Sequence, residues 1–250
     1  MDLSLLVFVS LICVAFVAGL ISAIAGSGGL IVLPALLTAG LPPLNALATN
    51  KFQSVFGTLS SAINFFQKGH IDLPSMKLSL FCAFIGASFG TLSVQLLNTQ
   101  WLEIGLPYFL LCLAVYVAWT PAMSDQDQPE KMLAKTFDVG VGSSVGFYGG
   151  FLGPGMGSFC AIAFSSLRGF NLKKATAHTK PLVLVTNTTS IVVFVLAGKV
   201  VWSLAIIMAV AQFAGARIGS NLVMDRGAKF IKPVLISVIV LLSAKLILLP

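Results

Sequence analysis

Apolar runs of about twenty residues, parted by short polar breaks, recur along nearly the whole sequence, and this repetition decides what the chain can be. A helix needs roughly 20 apolar residues to cross a hydrocarbon core. Such runs stand at about 4–25, 29–39, 47–66, 76–97 and 102–120, and again at about 138–152, 156–167, 175–197, 203–224 and 231–249. With only 9% of its 250 residues charged, the chain has little left for an aqueous surface. A soluble enzyme, a nucleic-acid binder and a disordered scaffold are excluded. Fifteen Lys and Arg against eight Asp and Glu give a net charge of +7, which in such a chain marks cytoplasmic loops, not affinity for DNA. The expected fold is all-α, a polytopic integral membrane protein with the lipid bilayer as its solvent.

The runs fall into two sets of five, 1–120 and 138–250, joined by the polar stretch 121–137. The sets are related. Gly40 and Gly169, Lys51 and Lys180, Ser61 and Ser190, and Gly69 and Gly198 all stand 129 residues apart, and F-x-G-A-x-x-G occurs at 84–90 and again at 213–219 in the same register. Gly19, Gly26 and Gly28 match Gly146, Gly153 and Gly155 at a spacing of 127. An internal duplication accounts for this pattern better than chance agreement among common small residues.

Charge predicts how the two repeats sit. The second has basic loops at 168–180 and 226–232, with Lys199 alone between them; the first has its basic turn at 68–77, with poor neighbours. Segments at matching positions therefore cross in opposite directions, as an odd number per repeat produces. The expectation is two inverted-topology repeats, a cytoplasmic linker and an outward N-terminus. Residues 3–25 have a cleavage-like Ala23-Ile24-Ala25, but Met1-Asp2 supplies no positive leader, so the segment is expected to be retained. Cys13, Cys82, Cys112 and Cys160 stand singly in apolar runs and read as packing residues.

Two runs are too short to span. Residues 29–39 make about 16 Å of helix, half a hydrocarbon core, and 156–167 little more. Each repeat is expected to hold a broken helical hairpin, interrupted at 26–29 and at 153–157. Helix starts after such breaks leave backbone N–H groups free, and the dipole there favours an anion. Ser27, Gly28 and Gly29 in one repeat, and Gly155 and Gly157 in the other, are the candidate donors.

The ionisable residues point the same way. All eight acids fall in expected loops or at segment ends, whereas Lys51 and Lys180 begin equivalent segments. A proton pump or cation carrier would require buried acids. Around the lysines stand Asn50 and Gln53, and His178, Thr179 and Asn187. Such polar clusters are costly in an oily chain unless they line a cavity or pair. A lysine snorkelling at a helix end is the bland alternative, and Arg217 and Lys245 are read that way. His70, beside Lys68 and Asp72 in a turn, reads as solvated. No spacing suits a metal, a cofactor or an enzyme nucleophile.

The run G-L-I-S-A-I-A-G-S-G-G-L-I-V-L-P at 19–34, followed by A-T-N-K-F-Q-S-V-F-G-T at 48–58, resembles the TauE/SafE family of bacterial sulfite and organosulfonate exporters. G-G-F-L-G-P-G-M-G at 149–157 and H-T-K-P at 178–181 look like that family's second repeat. The resemblance implies a multi-pass carrier of the bacterial inner membrane that moves small sulfur-containing anions such as sulfite, sulfoacetate or another organosulfonate. It implies no cofactor. By position, Asn50, Lys51 and Gln53 match the first polar motif, and Thr179, Lys180 and Asn187 its counterpart, where Pro181 and Leu182 replace Phe52 and Gln53. Uptake of a related anion, an anion channel and, further off, a membrane enzyme or assembly subunit stay open at this point. So does a homodimer, since most oligomers are twofold.

Overall fold

A computed structural model of the chain describes residues 4–98, 126–226 and, between these stretches, 100–102, 104–106, 108–109 and 112. All regular structure among the described residues is helical: α1 (Leu5–Ala25), α2 (Gly29–Thr38), α3 (Pro43–Gln67), a 3-10 turn (Pro74–Met76), α4 (Lys77–Leu96), α5 (Ala134–Phe151), α6 (Met156–Arg168), α7 (Leu172–Leu196) and α8 (Trp202–Arg226). The described positions between 100 and 112 are helical too. The segment expected at 231–249 lies outside the described residues.

Local chemistry sets the ends. Helix α1 closes on Gly26, whose φ of 74° suits a residue without Cβ and whose N–H donates to the Ser22 carbonyl at 2.9 Å. Helix α3 begins at Pro43, earlier than the apolar run, because proline's fixed φ and missing N–H fit the first helical position. At the start of α7 the Asn171 side chain accepts from the Lys174 N–H at 2.9 Å. Helices α2 and α6 have 10 and 13 residues, about 15 and 20 Å, too short to span, as the broken hairpins require.

Among the described residues four helical stretches are long and apolar enough to cross a membrane: Leu5–Ala25, Pro74–Leu96, Leu172–Leu196 and Trp202–Asp225. Their outward faces carry exposed Phe81, Phe84, Phe89 and Leu92 on α4 and Ile206, Val210 and Phe213 on α8. So broad an apolar surface suits lipid, not water. Helix α3 is as long but carries Asn50, Lys51, Gln53, Thr58, Ser60, Ser61 and Asn64, all buried. It packs against α1, α2, α7 and α8, so its polar groups face protein. The chain is an all-α polytopic membrane protein.

The most extensive pairings join one half of the chain to the other: α4 with α5, and α1 with α8. Gly86 and Gly90 lie against the backbone at 143–147 and 147–151, so α4 and α5 run parallel; Gly215 and Gly219 lie against Phe16 and Leu20 in the same sense. A Cβ at any of the four glycines would strike main-chain atoms. The repeated F-x-G-A-x-x-G is therefore where backbones meet, the service small residues give membrane helices.

The loops sort by end. The Asp72 N–H points at His178 Nε2 (3.5 Å), Gln128 N–H donates to the Gly169 carbonyl (2.7 Å), and Lys173 Nζ donates to the Met224 carbonyl (2.8 Å). The turn at 68–77, the chain at 126–132, the α6–α7 corner and the end of α8 thus meet, with Lys68, Lys77, Lys131, Arg168, Lys173 and Lys174 among them. At the opposite end Asn45 donates to the Lys199 carbonyl (2.9 Å) and Val201 N–H to Thr49 Oγ1 (3.2 Å). Helices α3 and α7 are consequently antiparallel.

Residues 126–132 are tied to the α6–α7 corner largely through Asp127, whose Oδ1 accepts from Asn171 N–H (2.7 Å) and Nδ2 (2.8 Å), and through the Arg168–Glu130 ion pair (3.1 Å). Exposed contacts of this kind are worth ~0.5–1 kcal/mol. Asp127→Ala should therefore leave the melting temperature within a few degrees of wild type while speeding proteolysis of the linker; unchanged cleavage would show that Asp127 does not hold it.

Candidate functional site

The two helix breaks meet each other. A Cβ on Gly26 would fall on the Gly157 backbone, and one on Gly157 would fall on Gly26. Beside this contact Ser158 Oγ donates to the Ala25 carbonyl and lies 2.6 Å from Ser27 Oγ. The Ser27 hydroxyl is thereby engaged in joining the hairpins.

Behind the tips is a cavity of about 30 Å³ lined by Ser22, Gly26, Gly29, Asn50, Lys51, Ser54, Thr58, Gly153, Gly155, Met156, Gly157, Val183 and Asn187. Of the residues expected from the sequence, it brings together Gly29, Asn50, Lys51, Gly155, Gly157 and Asn187. Gly28 packs on α1 near Ala18 and Ser22. Gln53 is fully buried beside Asn50 (3.5 Å), with its Oε1 unpartnered among the described residues. Thr179 Oγ1 bonds its own helix at the Thr176 carbonyl (2.7 Å). His178 lines a different hollow, at the basic end.

Lys51 and Lys180 are 2% and 3% exposed. Lys51 Nζ donates to the Gly149 carbonyl and to Asn187 Oδ1 (3.3 Å), and Lys180 Nζ donates to the Ser22 carbonyl (2.9 Å). Each lysine stands eight residues into a 25-residue helix, about 12 Å from opposite ends of the bundle. Each reaches across to the helix before a break in the other half, and Ser22 and Gly149 are themselves 127 residues apart. Among the described residues the ion pairs are Arg168–Glu130 and Lys174–Asp127. Neither buried lysine is in them.

A buried ammonium facing only neutral oxygens has lost its hydration without gaining a counter-charge. An anion beside it restores the balance. Asn50 and Asn187 amides can donate to such a ligand, and α6 follows Gly155, which supplies no side-chain cap, with its positive end toward the cavity. Among the described residues no cluster of His, Cys, Asp or Glu could hold a metal ion. Ser22, Ser54, Thr58, Gly153 and Val183 were not anticipated. The duplicated register carried a signal for some of them, since Thr58 matches Asn187 at 129.

A helical membrane bundle with a polar cavity between two broken hairpins, with a lysine and, among the described residues, no acid at its wall, has the character of a membrane transporter. A sequence model of the sulfite exporter TauE/SafE family matches residues 11–246. The chain belongs to that family. It is 43% identical over 234 residues to the probable membrane transporter protein YfcA of Escherichia coli K12, covering 94% of this chain and 87% of that one. It is 37% identical over 247 residues to a probable membrane transporter protein of Haemophilus influenzae (99% and 97% covered), and 39% identical over 246 residues to the probable membrane transporter protein ORF9 of a Sinorhizobium species (98% and 94% covered). No solved structure matches the chain.

Proposed function

We propose that the chain is a secondary transporter that exports small sulfur-containing anions, sulfite, sulfoacetate and related organosulfonates, across the bacterial inner membrane. In this reading residues 1–120 and 138–250 are inverted repeats joined by the cytoplasmic linker 121–137, and the basic end of the bundle faces the cytoplasm. The carrying observation is the pair of buried lysines that donate to carbonyl and amide oxygens. Lys51, with Asn50 and Asn187, holds the sulfonate or sulfite oxygens; Lys180 serves the cavity from the opposite side through Ser22. Gln53 and Thr179 support these groups from the neighbouring turns.

The cavity has room for about two waters, not for a sulfonate. A cavity this narrow favours a carrier over an open channel: substrate enters only if the hairpin tips part. Outward movement of an anion gains about 2.3 kcal/mol per charge per 100 mV of inside-negative potential, so uniport suffices for export.

A panel of sulfite, sulfoacetate, taurine, thiosulfate and sulfate tests the substrate class, by thermal shift and by flux in proteoliposomes. The expected result is that sulfite or an organosulfonate raises the melting temperature in a saturable way and is transported, with sulfate weaker. At 100 times its Kd a ligand stabilises by about 2.7 kcal/mol. A panel in which no member shifts the melting temperature or crosses the membrane would sink the proposal.

A further inference from the structure

At the basic end a hollow of about 380 Å³ opens between the turn after α3 and the start of α7, against about 30 Å³ at the central cavity. Its wall includes His70, Asp72, Asn171, Lys173, Lys174 and His178. The charges there are unevenly spent. Lys174 lies 3.9 Å from Asp127 and 4.1 Å from the centre of the Phe170 ring. Lys173 Nζ donates a hydrogen bond to a neutral oxygen, the Met224 carbonyl, and it is in neither ion pair among the described residues. Among the described residues Asp72 is the one carboxylate in this wall.

His70 senses the field that results. Its pKa is held below the usual imidazole value first by burial and then by the charges of Lys173 and Lys68, which stand on two different elements. His178 is on the inner side. Its Nδ1 lies 2.8 Å from the Lys174 carbonyl, and since a carbonyl only accepts, that nitrogen carries the proton and Nε2 is left to accept from the Asp72 N–H.

We propose that this hollow is an anion-docking vestibule, a second binding site in which a small oxyanion rests between Lys173 and His70 before it moves on toward the central cavity. The proposal rests on the anion-transport reading above for its ligand, and assigns that ligand a place outside the central cavity. Lys173 supplies a direct charged hydrogen bond, Lys68 a longer-range attraction, and His70 an N–H. A uniformly basic rim would concentrate any anion, but a hollow with one ammonium outside those ion pairs holds it at a defined point.

The test measures sulfite flux into and out of proteoliposomes for Lys173→Gln, Lys173→Arg and the exposed Lys68→Glu. Losing a charged hydrogen bond costs about tenfold or more in affinity. Lys173→Gln should raise KM about tenfold for sulfite arriving at the basic end, with kcat and the KM at the opposite face unchanged. Lys173→Arg should restore it, and Lys68→Glu should raise the same KM a few-fold, less so at high salt. Independently of transport, the His70 imidazole resonance of detergent-solubilised protein should titrate at higher pH once sulfite is added, because the bound anion offsets Lys173. A KM unchanged at the basic end, or raised equally at both faces, overturns the vestibule. So does an unmoved His70 titration. Absence of all sulfite flux in the wild type, with a shifted His70 titration, would instead count against the transport reading alone.

Discussion

Lys51→Met should lower anion flux in proteoliposomes by about two orders of magnitude while leaving the melting temperature at or above that of the wild type. The two halves of this expectation come from one fact: the ammonium is buried against the Gly149 carbonyl and Asn187 Oδ1, with no carboxylate. Methionine keeps most of the volume and removes a buried charge, a replacement that is often neutral or stabilising. A substrate anion loses a charged hydrogen bond worth ~1.5–3 kcal/mol, up to about 100-fold. A lysine present only to hold α3 against α5 and α7 would behave in the opposite way, losing stability before flux. Lys180→Met should follow the same pattern, since among the described residues its ammonium donates to the Ser22 carbonyl and to no carboxylate. Wild-type flux in Lys51→Met would remove that residue from the mechanism, and a large fall in melting temperature would recast it as structural.

The register of the duplication made much of this legible. Helices α3 and α7, Pro43–Gln67 and Leu172–Leu196, begin and end at the same spacing of 129 that joins Lys51 to Lys180. The short α2 and α6 follow from run length alone. What the lysines bind was not legible, because their partners are backbone carbonyls, and a carbonyl leaves no mark in a sequence. Ser27 illustrates a second limit. It stands at a glycine-rich break and looks free to donate to a ligand, yet Ser158, 131 residues away, takes its hydroxyl. Hydropathy likewise understates α3, whose polar side chains are buried against protein while Phe56, Ile63 and Phe66 stay exposed. His178 was grouped with Lys180 by proximity along the chain, but two residues of helix rotate a side chain by about 200°, and it lines the outer hollow instead.

Gly26→Ala should abolish transport and lower the melting temperature, and it should do both more severely than Gly157→Ala. The comparison isolates two physical terms. In either variant the added methyl lands on the opposing main chain, since each glycine's Cβ position is filled by the other's backbone. The hairpin tips must move apart, and with them the Ser27–Ser158 contact and the wall of the central cavity. Overpacking of this kind costs ~1–3 kcal/mol. Gly26 alone also has φ of 74°, where an L side chain adds ~1–2 kcal/mol. The separation between the two melting temperatures should reflect that backbone term, while the loss of flux reflects the steric one they share. Serine offers a check: Gly157→Ser should be no better than Gly157→Ala, because a hydroxyl does not reduce the overlap. If Gly26→Ala transports normally, the tips are not packed as described, and the narrow cavity behind them cannot be the compartment that substrate crosses.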